Sequence, residues 1–340
     1  MNKNRVLLIG PNFHYFLQSM QNAFCKLGWD VCTCPYDNPI HPYNPINKLK
    51  YKLSKDKLAL KELSRINYRP YIESTFDTIN PQLVLIINGD NLSPQTVAYF
   101  ASKSKVGIWL FDSITRIADT LLNLPYAHAV FCYEKKDIPL IKDQYGIDAH
   151  FIPQAVDEDM YYPLKTNKKW DIVFAGDIFH SEKRKQIIPE IVKKYAKKAI
   201  CIWGLYKPYY KGFWAWLTRE RRDVYRNRNT NVKQLNLDYN QASIVLNVHH
   251  EQQRDGANPK VFEIAATGSY QICDANPFIE QLFPNGEIGL YHNSQELYEL
   301  MDYALIHDMA EQAEKARQIV IKKHTFTHRV MQMLEILQYA

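Results

Sequence analysis

In the run NPKVFEIAATG, Lys260, Glu263 and Thr267 stand at i, i+3 and i+7, a spacing that puts all three on one stripe of a helix. The residues between them, Val261, Phe262, Ile264, Ala265 and Ala266, are apolar and read as core. Asn258 followed by Pro259 pairs an N-cap residue with the residue favoured at the first helical position, so the helix is expected to begin there. A lysine in that first turn is opposed by the helix dipole. An anion bound at the helix start, phosphate above all, reverses the sign of that argument. Glu263, one turn deeper, is then placed to accept hydrogen bonds from sugar hydroxyls. The competing reading is a surface Lys–Glu pair on an ordinary helix.

Further polar residues stand where strands end. His249 and His250 follow the apolar run SIVLN, at the strand edge where α/β proteins bind ligands. They read as ligand contacts or as one buried structural histidine beside one exposed. A zinc pair needs further ligands, which the sequence does not offer at metal-ligand spacing. Gly176, closing DIVFAG, lets backbone approach a ligand closely. In the N-terminal half His14 in GPNFH, Asp90 in NGD and Asp112 in FDS each follow a strand and are candidate general bases. The alternative for Asp112 is a plain N-cap. GPNFH lacks the G-x-G-x-x-G fingerprint, which argues against a nicotinamide cofactor. His324 and His328 are four apart without the HExxH glutamate, which excludes a metalloprotease helix.

The elements that must hold these residues alternate. Strands are expected at Arg5–Ile9, Trp29–Thr33, Leu83–Ile87, Val106–Phe111 and Ala129–Tyr133, with helices over Tyr15–Leu27 and Glu134–Tyr145 and two basic helical stretches filling Lys48 to Thr78. Residues Pro35 to Pro45 carry four prolines and form a loop. Phe151 to Lys169 reads as an interdomain linker. The rhythm restarts at Asp171–Ala175 and continues through Ala199–Trp203, Ser243–Asn247, Ser269–Cys273 and Ile288–Tyr291, with closing helices Gln295–Ile306, Met309–Lys322 and Thr325–Tyr339. Such alternation implies doubly wound parallel sheets.

Composition narrows the class. The 340 residues suffice for two domains, and 46% hydrophobic with 23% charged residues describes a globular chain. MNKNRVLLIG has too short an apolar run for a signal peptide, so it is read as the first strand of a cytoplasmic protein. A net charge of +6 suits anionic substrates or an acidic membrane surface and is too diffuse to argue nucleic-acid binding. Six cysteines without paired metal-ligand spacing read as thiols of a reducing compartment. The stretch Lys207 to Arg222, KPYYKGFWAWLTRERR, interleaves aromatics with cations, as an interfacial surface does. That predicts peripheral contact with the inner membrane face, against a partly buried insertion as the alternative.

Five runs in order carry a family resemblance: Asp171 to Gln186, Ala242 to His250, the NPKVFE helix, Gly286 to Leu297 and His324 to Val330. Together they resemble the CgeB-like group of GT-B glycosyltransferases, often grouped with family 1 glycosyl transferases. The resemblance implies two Rossmann-like domains facing a cleft: residues 1–155 on the acceptor side, 156–325 on the nucleotide-sugar side, and a helix over 326–340 crossing back to the first. It implies transfer of a sugar from a nucleotide-diphosphate sugar to a hydroxyl of a glycan, lipid-linked or protein acceptor, with no metal or other cofactor required. It also implies that Arg184 and Lys185 cover phosphate, and it ranks Asp112 first as base. Where Lys260 stands the group often has arginine, so a bidentate phosphate contact becomes a point charge. A GT-B-type sugar-nucleotide epimerase and a non-catalytic nucleotide-sugar-binding protein share the same donor pocket.

Overall fold

The computed structural model describes residues 4–12, 15–36, 57–206 and 223–339, with side chains within 57–67 described only at 65 and 66. His14 and the aromatic–basic stretch 207–222 therefore lie outside the described residues. The chain divides into two compact units, Met1–Pro153 with Phe326–Ala340, and Gln154–Thr325.

The first unit runs β1 (Arg5–Gly10), α1 (Phe16–Lys26), β2 (Asp30–Pro35), α2 (Lys57–Ile79), β3 (Leu83–Ile87), α3 (Pro94–Ala101), β4 (Lys105–Leu110), α4 (Ala118–Leu121), β5 (Ala129–Cys132), α5 (Asp137–Tyr145) and β6 (Ala149–Phe151). Its six strands are all parallel, in the order β2-β1-β3-β4-β5-β6. Continuous apolar runs such as LVLII in β3 are buried along their whole length, as a sheet covered on both faces requires. Lys57–Ile79 is one helix running through Pro70, and the remainder of the two basic stretches expected over Lys48 to Thr78 lies outside the described residues.

The second unit runs β7 (Trp170–Ala175), α6 (Glu182–Lys194), β8 (Ile200–Trp203), α7 (Val232–Asn240), β9 (Ala242–Asn247), α8 (Pro259–Ala266), β10 (Gln271–Asp274), α9 (Pro277–Leu282), β11 (Gly289–Tyr291), α10 (Ser294–Ala304) and α11 (Ala310–Lys323). Its parallel order is β11-β10-β9-β7-β8. Counted from its own first strand, this repeats the 2-1-3-4-5 arrangement of the first sheet. Each sheet therefore has its switch point beside its first strand, between β1 and β3 and between β7 and β9, where α/β sheets bind ligands.

The last helix, α12 (Phe326–Ile336), belongs to the first unit and packs on α1. Arg329, 1% exposed, donates from Nε to the Pro153 carbonyl at 2.8 Å. The expected linker is not a solvated tether at its start: Ile152, Gln154, Ala155, Val156 and Asp157 are buried, and Val156 bridges Thr325 in parallel. No helix among the described residues is long and apolar enough to cross a membrane.

Candidate functional site

Helix α8 begins as its sequence dictates. Asn258 is extended, with Oδ1 accepting from the Val261 N–H at 3.2 Å, and Pro259 opens the first turn. The cap is itself held from below. Asn258 and Asn247 exchange amide hydrogen bonds at 2.9 and 3.1 Å, and Asn247 also donates to Gln271 Oε1 at 3.0 Å. Asn247 ends β9 and Gln271 begins β10, so a ladder of buried amides fixes the helix start above the second sheet. Sequence reading missed this ladder because its three amides join only when the strands pair.

Val261, Phe262, Ile264, Ala265 and Ala266 are buried, as the pattern requires, while Lys260 and Glu263 are half-buried. Burial pushes the Lys260 ammonium's pKa down, Glu263 works against that shift, and Arg184 adds to it. Burial likewise raises the Glu263 carboxyl, opposed by Lys260 and by a hydrogen bond from Tyr161. The pair is therefore poorly solvated, unlike an ordinary surface Lys–Glu pair. Among the described residues the Lys260 ammonium forms no ion pair within contact distance. Thr267 has turned inward, donating to the Ile264 carbonyl at 2.7 Å.

Across the switch point, Arg184 is a tie rather than a free cation. Its Nε donates to the Val248 carbonyl beyond β9 at 2.8 Å, and Nη1 to the Asp177 carbonyl beyond β7 at 3.0 Å. It is 7% exposed, and burial lowers its pKa. Gly176 faces inward: a Cβ there would stand 3.2 Å from Arg184 Nη1 and 3.0 Å from Phe174. The nearby Gly204 has φ +113 and no room for a Cβ, which would fall 2.1 Å from the Gly176 carbonyl oxygen. The two glycines thus bring two backbones together. Lys185 pairs outward with Glu182 at 2.6 Å.

The neighbouring Lys183 reaches the site instead. Its Nζ lies 2.6 Å from Asp274 Oδ2, while its backbone N–H donates to Glu251 Oε1 at 2.8 Å. Asp274 Oδ1 accepts from the His249 N–H at 2.8 Å and stands 3.0 Å from His249 Nδ1. Burial alone would raise the Asp274 carboxyl, but His249 and Lys183 outweigh it and hold it well below the usual carboxylate range. His249 is 1% exposed and internal to the β9–β10 seam, whereas partly exposed His250 has Nε2 3.1 Å from the His180 carbonyl oxygen. Lys183 and Asp274 were not singled out in the sequence; a basic residue one position before Arg184 was the only signal.

In the first unit, Asp112 caps no helix, since α4 begins six residues later. Its Oδ2 accepts from Asn88 Nδ2 at 3.2 Å, and its Oδ1 lies 3.4 Å from Arg116. Asn88, at φ 56, also accepts the Phe111 N–H at 2.7 Å, which fixes the turn that presents Asp112. Asp90 accepts from the Tyr36 hydroxyl at 2.8 Å, and its carbonyl accepts from Arg65. These bonds tie Asp90 to Tyr36, just beyond β2, and to Arg65 within α2. Asp112 and Asp90 thus stand beyond adjacent strands β4 and β3.

Residues 183–335 match a family model described as glycosyl transferase-like. The whole chain is similar in fold to sucrose-phosphate synthase from Thermosynechococcus elongatus (TM-score 0.69, 12% identity, 99% of this chain and 98% of that one). It is similar also to a glycosyltransferase from Rickettsia africae (TM-score 0.66, 14% identity, 100% of each chain). HepE of Anabaena, crystallised in complex with UDP and glucose, gives a TM-score of 0.63 at 12% identity over 98% of this chain and 99% of that one. Residues 183–335 are thus similar to a glycosyl transferase-like domain, and the chain shares the two-domain α/β fold of these solved structures. No curated protein sequence matches the chain. The matched domain contains Lys183, Arg184, His249, Lys260, Glu263 and Asp274, so the region just described and the matched region coincide.

Proposed function

We propose that the protein is a CgeB-like glycosyltransferase that moves a sugar from a nucleotide-diphosphate sugar to a hydroxyl of a glycan, lipid-linked or protein acceptor. The observation that carries this reading is the half-buried Lys260 in the first turn of α8, a cation at a helix N-terminus that forms no ion pair among the described residues. Desolvation and dipole both disfavour it there, and an anion removes both penalties. A departing diphosphate is such an anion. The α8 N–H groups, Lys260 and Lys183 neutralise the charge that develops on it, and Glu263 accepts from ribose hydroxyls. Arg184 serves by fixing the loops beyond β7 and β9.

In this mechanism transfer needs no metal, because dipole and ammonium groups stabilise the leaving group. Asp112 is the candidate base for the acceptor hydroxyl, carried by a turn locked through Asn88. The protein acts at the cytoplasmic membrane face, through the aromatic–basic stretch that includes Trp214 and Trp216.

The experiment is a thermal-shift panel of UDP-, GDP-, CMP- and dTDP-linked sugars, where a ligand at a hundredfold its Kd contributes about 2.7 kcal/mol. At least one donor is expected to raise Tm, and Glu263→Gln to weaken that donor's nucleotide without changing the Tm of the free protein by more than a few degrees. A panel with no shift at any donor overturns the reading. Incubation of the stabilising donor alone and with acceptor separates transfer from epimerisation, since an epimerase alters the donor without acceptor.

A further inference from the structure

Beside the residues assigned to the donor lies a cluster with a chemistry of its own. His249 Nδ1 stands 3.0 Å from Asp274 Oδ1 and 3.6 Å from Cys273 Sγ, and the three ligand atoms all fall within 4.8 Å of one another. We propose that His249, Cys273 and Asp274 form a binding site for a thiophilic divalent cation, zinc above all, at the seam between β9 and β10.

The distances are those of a tetrahedron waiting for its centre. With Zn–N of about 2.0–2.1 Å, Zn–O of about 2.0–2.2 Å and Zn–S of about 2.3 Å, tetrahedral angles give N···S edges of about 3.5–3.6 Å and N···O edges of about 3.3–3.5 Å. The N···O and N···S pairs need adjustments of only a few tenths of an ångström, and the Sγ···Oδ1 edge, bounded at 4.8 Å, closes toward about 3.5–3.7 Å on binding. The outer partners are already in place. Lys183 occupies Asp274 Oδ2 and leaves Oδ1 turned toward His249, as a second-shell donor orients a ligating carboxylate.

A second observation is independent of the three ligands. Tyr291, on the neighbouring strand, is paired in register with Asp274. It is 4% exposed, and its hydroxyl has no hydrogen-bond partner among the described residues. Parallel register puts the Tyr291 and Asp274 side chains on the same face of the sheet. A buried phenol without a partner is costly. The Tyr291 oxygen, directly or through a bound water, supplies the fourth position. His249 Nε2 is likewise buried and unpartnered, so the inner face of this seam is polar and unfinished.

Charge and protons balance. Without metal, Cys273 is a thiol, since burial pushes its pKa well up, Asp274 pushes it further and Lys183 opposes them. On binding, the Sγ–H bond breaks, its proton leaves to solvent, and the Sγ–Zn bond forms. Asp274 stays ionised, and the proton that His249 Nδ1 shares with Asp274 Oδ1 leaves Nδ1 to make way for the ion, so that the bound imidazole carries its one proton on Nε2. Thiolate and carboxylate offset the ion's two charges. The bound ion cross-links the ends of β9 and β10 and takes no part in sugar transfer.

The test is titration of the tag-free, full-length protein with Co²⁺ under a non-thiol reductant, then with Zn²⁺ against a chromophoric chelator. The expected result is one equivalent of Co²⁺ with a thiolate-to-cobalt charge-transfer band in the near ultraviolet, displaced by Zn²⁺. Cys273→Ser should abolish the band and His249→Gln should weaken binding at least tenfold. Cys201→Ser, buried on β8, and Cys25→Ser, exposed on α1, should leave both unchanged. A wild type that shows no band, or a band that survives Cys273→Ser, overturns the site. Should Cys273→Ser not fold, the wild-type titration and His249→Gln still decide. No sugar or nucleotide enters the measurement, so its failure and that of the donor assignment are distinguishable.

Discussion

Replacing Lys260 by alanine separates a ligand-binding lysine from a structural one by the sign of two effects. The ammonium forms no ion pair among the described residues, and burial lowers its pKa against the pull of Glu263. In the free protein it therefore contributes little, and its position in the first helical turn is unfavourable by about 0.3–1 kcal/mol. Removing it should hold Tm or raise it by about 1–4 °C for a unit of this size. Glu263 limits the gain, because it loses its nearby cation and keeps only the Tyr161 hydrogen bond.

Binding should move the other way. A charge-assisted contact to phosphate contributes about 1.5–3 kcal/mol, which corresponds to about a 10- to 150-fold weaker Kd for the nucleoside diphosphate. Isothermal titration of the diphosphate beside thermal melts of the free protein gives both numbers from one preparation. Lys260→Arg supplies the rescue arm, since a guanidinium at this half-buried turn can grip the phosphate through two donors and should restore affinity. An alanine variant that melts more than about 5 °C lower while binding every diphosphate as before refutes the reasoning. Lys260 would then belong to the fold.

Three further outcomes follow from the same geometry. Asp274→Asn should lower Tm at pH 7 by about 6–12 °C, from about 3 kcal/mol for leaving Lys183 and His249 without their carboxylate. Because the folded-state pKa of Asp274 is depressed, its contribution is present above the unfolded value of about 3.9 and is lost as pH falls below it; a gap between variant and wild type that stays constant down to pH 2 would contradict the assignment. Turnover should survive EDTA if, as proposed, dipole and ammonium groups stabilise the diphosphate, and abolition restored by magnesium or manganese would show a catalytic metal instead. The protein should co-sediment with anionic vesicles and release as salt shortens electrostatic reach to about 8 Å or less, and replacing Trp214, Trp216, Arg219, Arg221 and Arg222 should abolish that binding while sparing activity on a soluble acceptor; a wild type indifferent to such vesicles excludes the membrane reading.

What the sequence revealed and what it hid divide along one physical line. The strand rhythm, the α8 start at Asn258–Pro259 and the Lys260–Glu263 stripe are local patterns, set by caps and by a period of 3.6 residues, and the fold carries them as read. The resemblance casts Arg184 as a phosphate contact, yet its Nε and Nη1 donate to the carbonyls of Val248 and Asp177, and no local pattern discloses which cation a fold will spend internally. Lys183 meets Asp274 across 91 positions, and Cys273 meets His249 across 24. Those meetings exist only because β10 lies beside β9 and β9 beside β7, an order that reverses the chain's own sequence at the switch point. A zinc pair of His249 and His250 was set aside in sequence for want of further ligands; the sheet brings Cys273 and Asp274 beside His249 from a strand that spacing alone could not bring near. Local signals thus located the helix proposed to face the donor, while the partners that tune its charge came from topology.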